Sequence, residues 1–210
     1  MDLRKSLQNY LDELSSNSPT PGGGNVAALC GVLASSLGEM VCRLTVGKKK
    51  YIEHEPEIKE LLIKFESFKK DFLILAERDN EAFDRVMDAF KLPKETESEK
   101  AFRHSAIEHA TQEAALVPEE VILKCNEIIP FLEIITDKGN QNSISDAGVA
   151  ISLVSTAAEG AFLNVAINCS GLSNKESAEK LLKKSESAYH QIKEKSNSII
   201  SKIIGRMTSI

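Results

Sequence analysis

Apolar residues recur along this chain at spacings of three and four almost from end to end, with no convincing run of strand-type alternation between them. Helix-period segments cover residues 3–14, 26–46, 56–92 and 98–117. Residues 118–135 either continue the last of these across a kink at Pro118 or form a helix of their own. A nearly uncharged segment follows, capped at Ser145 or Asp146 and reaching residue 168, and a lysine-rich amphipathic segment spans 175–204. The turn-forming cluster at 15–21, Gly47, Pro93, the polar stretch 137–143 and Gly171 supply the breaks. This pattern predicts an all-α, single-domain bundle of six to eight helices over residues 1–210.

Two of the predicted helices, 26–46 and the one ending at 168, are rich in small residues and poor in charge, and are expected to be buried. In the first, Ala27 or Ala28, Gly31, Ser35, Gly38 and Cys42 fall on one face, where a neighbouring backbone can come close. Such faces point to close packing, including packing between subunits of a homodimer. Their uncharged runs fall short of the roughly 20 residues that cross a bilayer, so no membrane partner is expected.

Composition narrows the picture. Aromatic residues are 5% with no Trp, so the core is built from aliphatic side chains. A net charge of −5 gives no reason to expect a nucleic-acid partner. The four cysteines, Cys30, Cys42, Cys125 and Cys169, form no C-x-x-C pair and sit within or at the edge of apolar stretches, as free thiols in a reducing compartment do. The N-terminus lacks the apolar core of a signal peptide, and the expected location is cytoplasmic. None of the four histidines has metal-ligand or triad spacing, so no metal is expected.

Three places carry candidate chemistry. Gly22, Gly23, Gly24 and Asn25 stand just before a helix whose first amides are unpaired; glycine there allows positive φ and close ligand approach. That is either an anion-binding entrance or a plain tight turn. Asp79 lies whole heptads from Phe72 and Val86, hence on the core-facing stripe. A carboxylate so placed caps a helix, pairs with an interior base, or opens on a pocket. Asp146 opens the uncharged helix as a cap or as a second acid, but stands about 27 Å along it from Asn164, too far to share a small site within one chain. Asn164 and Asn168 are one turn apart in that helix's apolar run. Lys48 and Lys49, followed by Lys50 and Tyr51, either attract an anionic tail or solvate a helix end.

Taken in order, SPTPGGGNVAA at 18–28, LGEMV at 37–41, LTVGKKKY at 44–51, DNEAF at 79–83 with LPK at 92–94, GN at 139–140, SDA at 145–147 and NVAIN at 164–168 resemble the cyclodeaminase/cyclohydrolase family of tetrahydrofolate enzymes over essentially the whole chain. The resemblance implies an all-helical dimer acting on the one-carbon unit between N5 and N10 of tetrahydrofolate, with no cofactor beyond that carrier. It implies first a formimidotetrahydrofolate cyclodeaminase, forming 5,10-methenyltetrahydrofolate and ammonia and fed by a separate formiminotransferase. Next comes a methenyltetrahydrofolate cyclohydrolase, forming 10-formyltetrahydrofolate, and beyond that a helical scaffold that has lost the chemistry. It makes Asp79 and Asp146 the catalytic candidates. It adds Gly22, Gly23, Gly24, Asn25, Lys48, Lys49, Tyr51, Asn140 and Asn142 as candidates for substrate binding.

Overall fold

The computed structural model describes residues 7–209, so the first residues of the expected 3–14 helix lie outside it. Six α-helices follow one another: α1 (Leu7–Leu14), α2 (Gly23–Thr45), α3 (Glu55–Phe90), α4 (Glu97–Lys138), α5 (Ile144–Gly171) and α6 (Lys175–Thr208). Short 3₁₀ turns at Lys49–His54 and Gln141–Ser143 join α2 to α3 and α4 to α5. Buried residues of α2 through α6 merge into one apolar core, led by Phe65 and Phe72, joined by Phe68 and Tyr189, and built mostly of aliphatic side chains.

The small-residue stripe of α2 is used inside the chain rather than between subunits. A Cβ on Gly31 would stand within 2.6 Å of the Phe72 ring, and one on Gly38 within 2.9 Å of Phe65. Both rings are fully buried, so α3 presses its phenylalanines directly onto the α2 backbone. That corrects the expectation that this stripe packs against a second subunit. α2 and α5 run antiparallel, with Gly23 beside Asn164 and Gly160 beside Ala27.

Several boundaries depart from the pattern. α2 starts at Gly23 rather than Val26, because the apolar periodicity is silent over glycines that the chain nevertheless winds into the first turn. α4 is one helix of 42 residues that includes Pro118 and Pro130, so Pro118 starts no new helix. Its start is fixed by a capping box, with Glu99 N–H donating to Thr96 Oγ1 at 3.2 Å and Thr96 N–H to Glu99 Oε2 at 2.8 Å. Neither Ser145 nor Asp146 caps α5: the N-cap is Ser143, without a side-chain bond, and Asp146 lies in the first turn. α2 and the α5 region both reach the length and hydropathy of a membrane span, yet 61% of the α2 window and 39% of the α5 window is buried in the bundle.

Candidate active site

Asp79 leaves α3 where the N-terminus of α2 abuts it. A Cβ on Gly24 would lie 2.7 Å from the Asp79 Cγ, so only glycine lets the carboxylate sit this close to the helix entrance. The Asn25 backbone N–H, one of the amides a helix start leaves unpaired, donates to that carboxylate. Asp79 thus caps α2 from a different helix. Burial nevertheless dominates, raising its pKa from the ordinary 3.8 to about 6, with the Asn25 hydrogen bond pulling in the opposite direction.

Gly24 serves this approach, and none of the three glycines has an unusual backbone. Gly22 is extended (φ −122°, ψ −162°), Gly23 and Gly24 are helical, and the positive-φ glycine among the described residues is Gly47 (φ 78°). Asn25 is fully buried, and its side chain is spent on the fold. Its Oδ1 accepts from Tyr10 Oη at 2.9 Å and its Nδ2 donates to the Ala76 carbonyl at 2.7 Å. It holds the glycine turn against α1 and α3, so the side chain of Asn25, a substrate-binding candidate from the sequence, is engaged within the fold rather than lining the cleft.

Gly22, Gly23, Gly24 and Asp79 open on a cleft of about 280 Å³. Phe83 and Val86 of α3 and Ile167 of α5 give it an apolar wall, and Asn164 and Asn168 face in from α5. The two asparagines were visible in the sequence as a pair one turn apart, without a role. Asn164 Nδ2 donates to the Gly160 carbonyl at 2.8 Å, and Asn168 Nδ2 to the Ala114 carbonyl at 3.0 Å. The second bond has a readable cause. Pro118 has no N–H, so the Ala114 carbonyl, four residues back, lacks its helical donor and takes the Asn168 amide instead. One N–H of each amide is engaged in these bonds, which leaves its other N–H and the amide oxygen available at the cleft.

The other candidates gather elsewhere. α2's 23 residues span roughly 33 Å, and Lys48, Lys49, Tyr51, Asn140 and Asn142 lie beyond its far end. Tyr51 Oη accepts from Gln141 N–H at 3.0 Å and reaches Asn140 Oδ1 at 3.4 Å. Asn140 N–H donates to Thr45 Oγ1 at 2.8 Å, and Asn140 Nδ2 to the Leu44 carbonyl at 3.2 Å. Tyr51 and Asn140 are buried and clasp the α4–α5 turn to the end of α2, so their side chains bind the chain itself. Lys48, Lys49 and Asn142 are exposed, and Asp146 is half-buried at this same end. Within one chain, then, the structure unites the glycines with Asp79 and leaves Asp146 and the lysines remote.

A larger groove of about 380 Å³ between α3 and α4 is lined by Lys64, Phe68, Asp71, Lys124 and Phe131. Its charges are engaged with neighbours: Lys124 pairs with Glu127 at 2.8 Å and Asp71 at 3.4 Å, and Lys64 lies 4.7 Å from the Phe131 ring centre. The thiols are no rival nucleophiles, since burial pushes Cys42 up to about 12 and raises Cys30 and Cys169 as well.

A partly desolvated acid, set between a glycine-lined helix entrance and two amide side chains, is an arrangement suited to proton transfer on a small molecule. Comparison with known proteins is specific. A family described as formiminotransferase-cyclodeaminase matches residues 6–187. Methenyltetrahydrofolate cyclohydrolase of Methylorubrum extorquens is 43% identical over 182 residues, covering 87% of this chain and 88% of its own. Formimidoyltransferase-cyclodeaminase of Mus musculus is 31% identical over 166 residues, 79% of this chain but 31% of that much longer one. The crystal structure of formiminotetrahydrofolate cyclodeaminase from Thermotoga maritima superposes with a TM-score of 0.80 at 30% identity, covering 96% of this chain and 98% of that one. The chain belongs to the formiminotransferase-cyclodeaminase family, whose cyclodeaminase and cyclohydrolase members are enzymes of folate one-carbon metabolism.

Proposed function

We propose that this protein is a methenyltetrahydrofolate cyclohydrolase, with Asp79 as its proton-transfer group. The observation that carries the reading is the Asp79 carboxylate at the cleft, with its pKa drawn up to about 6. At neutral pH such a group is mostly ionised. It steadies the cationic N5–CH–N10 bridge, yet it is basic enough to take a proton. Water bonds to the bridge carbon as Asp79 accepts one of its protons, giving a neutral tetrahedral adduct. The carbon–N5 bond then breaks, N5 receives that proton from Asp79, and the adduct's hydroxyl loses its proton to solvent to become the formyl carbonyl on N10. Phe83, Val86 and Ile167 keep bulk water from the bridge, and the amide oxygens of Asn164 and Asn168 offer acceptors for ring N–H groups.

A near full-length relative at 43% identity, named methenyltetrahydrofolate cyclohydrolase, supports the hydrolase. The second reading, a formimidotetrahydrofolate cyclodeaminase, is favoured by the Thermotoga maritima likeness. There N10 attacks the formimino carbon, and Asp79 carries the proton that leaves with ammonia. That reaction would require a separate formiminotransferase to supply substrate. Both readings include a cytoplasmic homodimer that uses no metal and no cofactor beyond the folate carrier.

The experiment follows methenyltetrahydrofolate absorbance with each substrate. Accelerated decay establishes the hydrolase; growth of the signal from the formimino compound, with ammonia released, establishes the deaminase. No change with either, in folded protein, overturns both and leaves a scaffold.

A further inference from the structure

Gly24 is crowded by Asp79, but Gly22 is not crowded by anything. A Cβ at position 22 would meet the Pro19 carbonyl at 3.5 Å, an ordinary contact, and a φ of −122° suits any residue. Neither space nor backbone therefore calls for glycine there. Its place in the helix does.

Gly22 is the N-cap of α2: it is extended, and its carbonyl accepts an early helical bond, from Val26 N–H at 3.1 Å. Elsewhere in the chain a side chain in this position takes the N–H three residues on. Thr96 Oγ1 accepts from Glu99 N–H at 3.2 Å where α4 begins, and Asn174 Oδ1 accepts from Ser177 N–H at 3.1 Å where α6 begins. The equivalent N–H of α2 belongs to Asn25, and it goes to the Asp79 carboxylate instead. A hydroxyl at position 22 would compete for that hydrogen. The bond matters to the acid, because it favours the ionised form that burial disfavours.

We propose that Gly22 is a positioning residue for the proton-transfer site: its lack of a side chain leaves the Asn25 N–H to hold Asp79 at the cleft. This rests on the reading of Asp79 as the reacting base. A serine in its place would keep the same backbone, cap α2 in the ordinary way and draw the N–H off the acid. The helix would stay capped while the carboxylate lost its partner. Other charged groups are turned elsewhere. On α3, Arg78 is paired with Glu120, Arg85 approaches Glu113 at 3.8 Å, and Glu81 and Asp84 are exposed. On α1, Tyr10 Oη is bonded to Asn25 Oδ1, and on α2 the Cys30 thiol is raised by burial. The residues of α2, α4 and α5 that line the cleft are uncharged.

The test compares Gly22→Ser with Gly22→Ala, which differ by one oxygen. In the serine variant the acid limb of kcat/KM should move up by roughly one pH unit. Its value at pH 6 then falls to about a tenth of its plateau, where the wild type keeps about half. The alanine variant adds the same Cβ without an acceptor and should keep the wild-type limb, whatever its KM. Gly22→Thr carries the same hydroxyl and should repeat the serine result. Matching limbs in the serine and alanine variants, moved or unmoved, overturn the proposal, even where KM rises in both. Wild-type protein that converts neither folate fails the functional reading alone. The titration of the Asp79 carboxyl, followed by carbon-13 NMR in the wild type and the two variants, then decides the role of Gly22 by the same comparison.

Discussion

The two ends of α2 are built from similar polar chemistry and put it to opposite uses. At the Lys48 end, Tyr51, Asn140 and Thr45 engage one another and the backbone, and the result is a closed clasp. At the Gly23 end, Asn25 is spent in the same way, but Asp79 keeps a desolvated carboxylate facing a cleft, supported by one backbone N–H. Polar groups that satisfy each other hold a fold together; a group left partly unsatisfied beside a cavity is available for reaction.

The sharpest way to break this contrast is Asp79→Asn, which keeps the size of the side chain and an acceptor for Asn25 N–H. Turnover should fall by about 10²–10⁴-fold, as measured by methenyltetrahydrofolate absorbance. The same variant should be more stable. Folded Asp79 holds its proton more tightly than the unfolded chain between pH 3.8 and about 6, so wild-type stability declines as pH rises across that window. The decline amounts to about 3 kcal/mol at neutral pH, which the variant escapes and which vanishes below the lower value. Urea denaturation at pH 7.5 and pH 4 checks both signs. A destabilised variant at pH 7.5 would mean that the carboxylate belongs with the clasp type of polar group.

Next in size is Gly24→Ala, whose methyl would be driven into the Asp79 carboxyl carbon, 2.7 Å away. It should cost about 1–3 kcal/mol in denaturation and lower turnover by about tenfold or more. Gly22→Ala meets only the Pro19 carbonyl at 3.5 Å and should be nearly silent in both. The pH profile of kcat/KM comes third: the reacting base is the ionised form, so the value should drop tenfold per unit below about pH 6. The smallest effect belongs to the clasp. Tyr51→Phe removes the acceptor of Gln141 N–H and should cost about 1–2 kcal/mol with kcat held near wild type. A large kcat loss there would show that the two ends are coupled within one chain.

Much of the fold was legible because long amphipathic periods in helices do not depend on distant context. The apolar pattern marked α3, α5 and α6 to within a few residues, and it placed Asp79 on the same face as Val86, with which it lines the cleft. What escaped was tertiary. Gly23 and Gly24 carry no periodic signal and low helix propensity, so the start of α2 was drawn late. Pro118 read as either a kink or a boundary, and packing on α5 and α6 carries α4 through it. The glycine triplet suggested positive φ, whereas what the fold uses is Gly24's missing Cβ, which admits a carboxylate. Asp146 and the lysine pair attracted attention through sequence motifs that say nothing of distance. Asn164 and Asn168 gained a role only once α5 was known to pass the glycine turn.

Residues 118 and 168 are tied by an absence. An imino acid in mid-helix leaves one peptide oxygen without its usual partner, and a side chain fifty positions further along is recruited to fill the gap. The orientation of that amide is therefore written partly into another helix's backbone. Restoring an N–H at 118 would let α4 reclaim its own oxygen and release the amide to rotate. The two positions should vary as a unit, although their side chains share no reaction step.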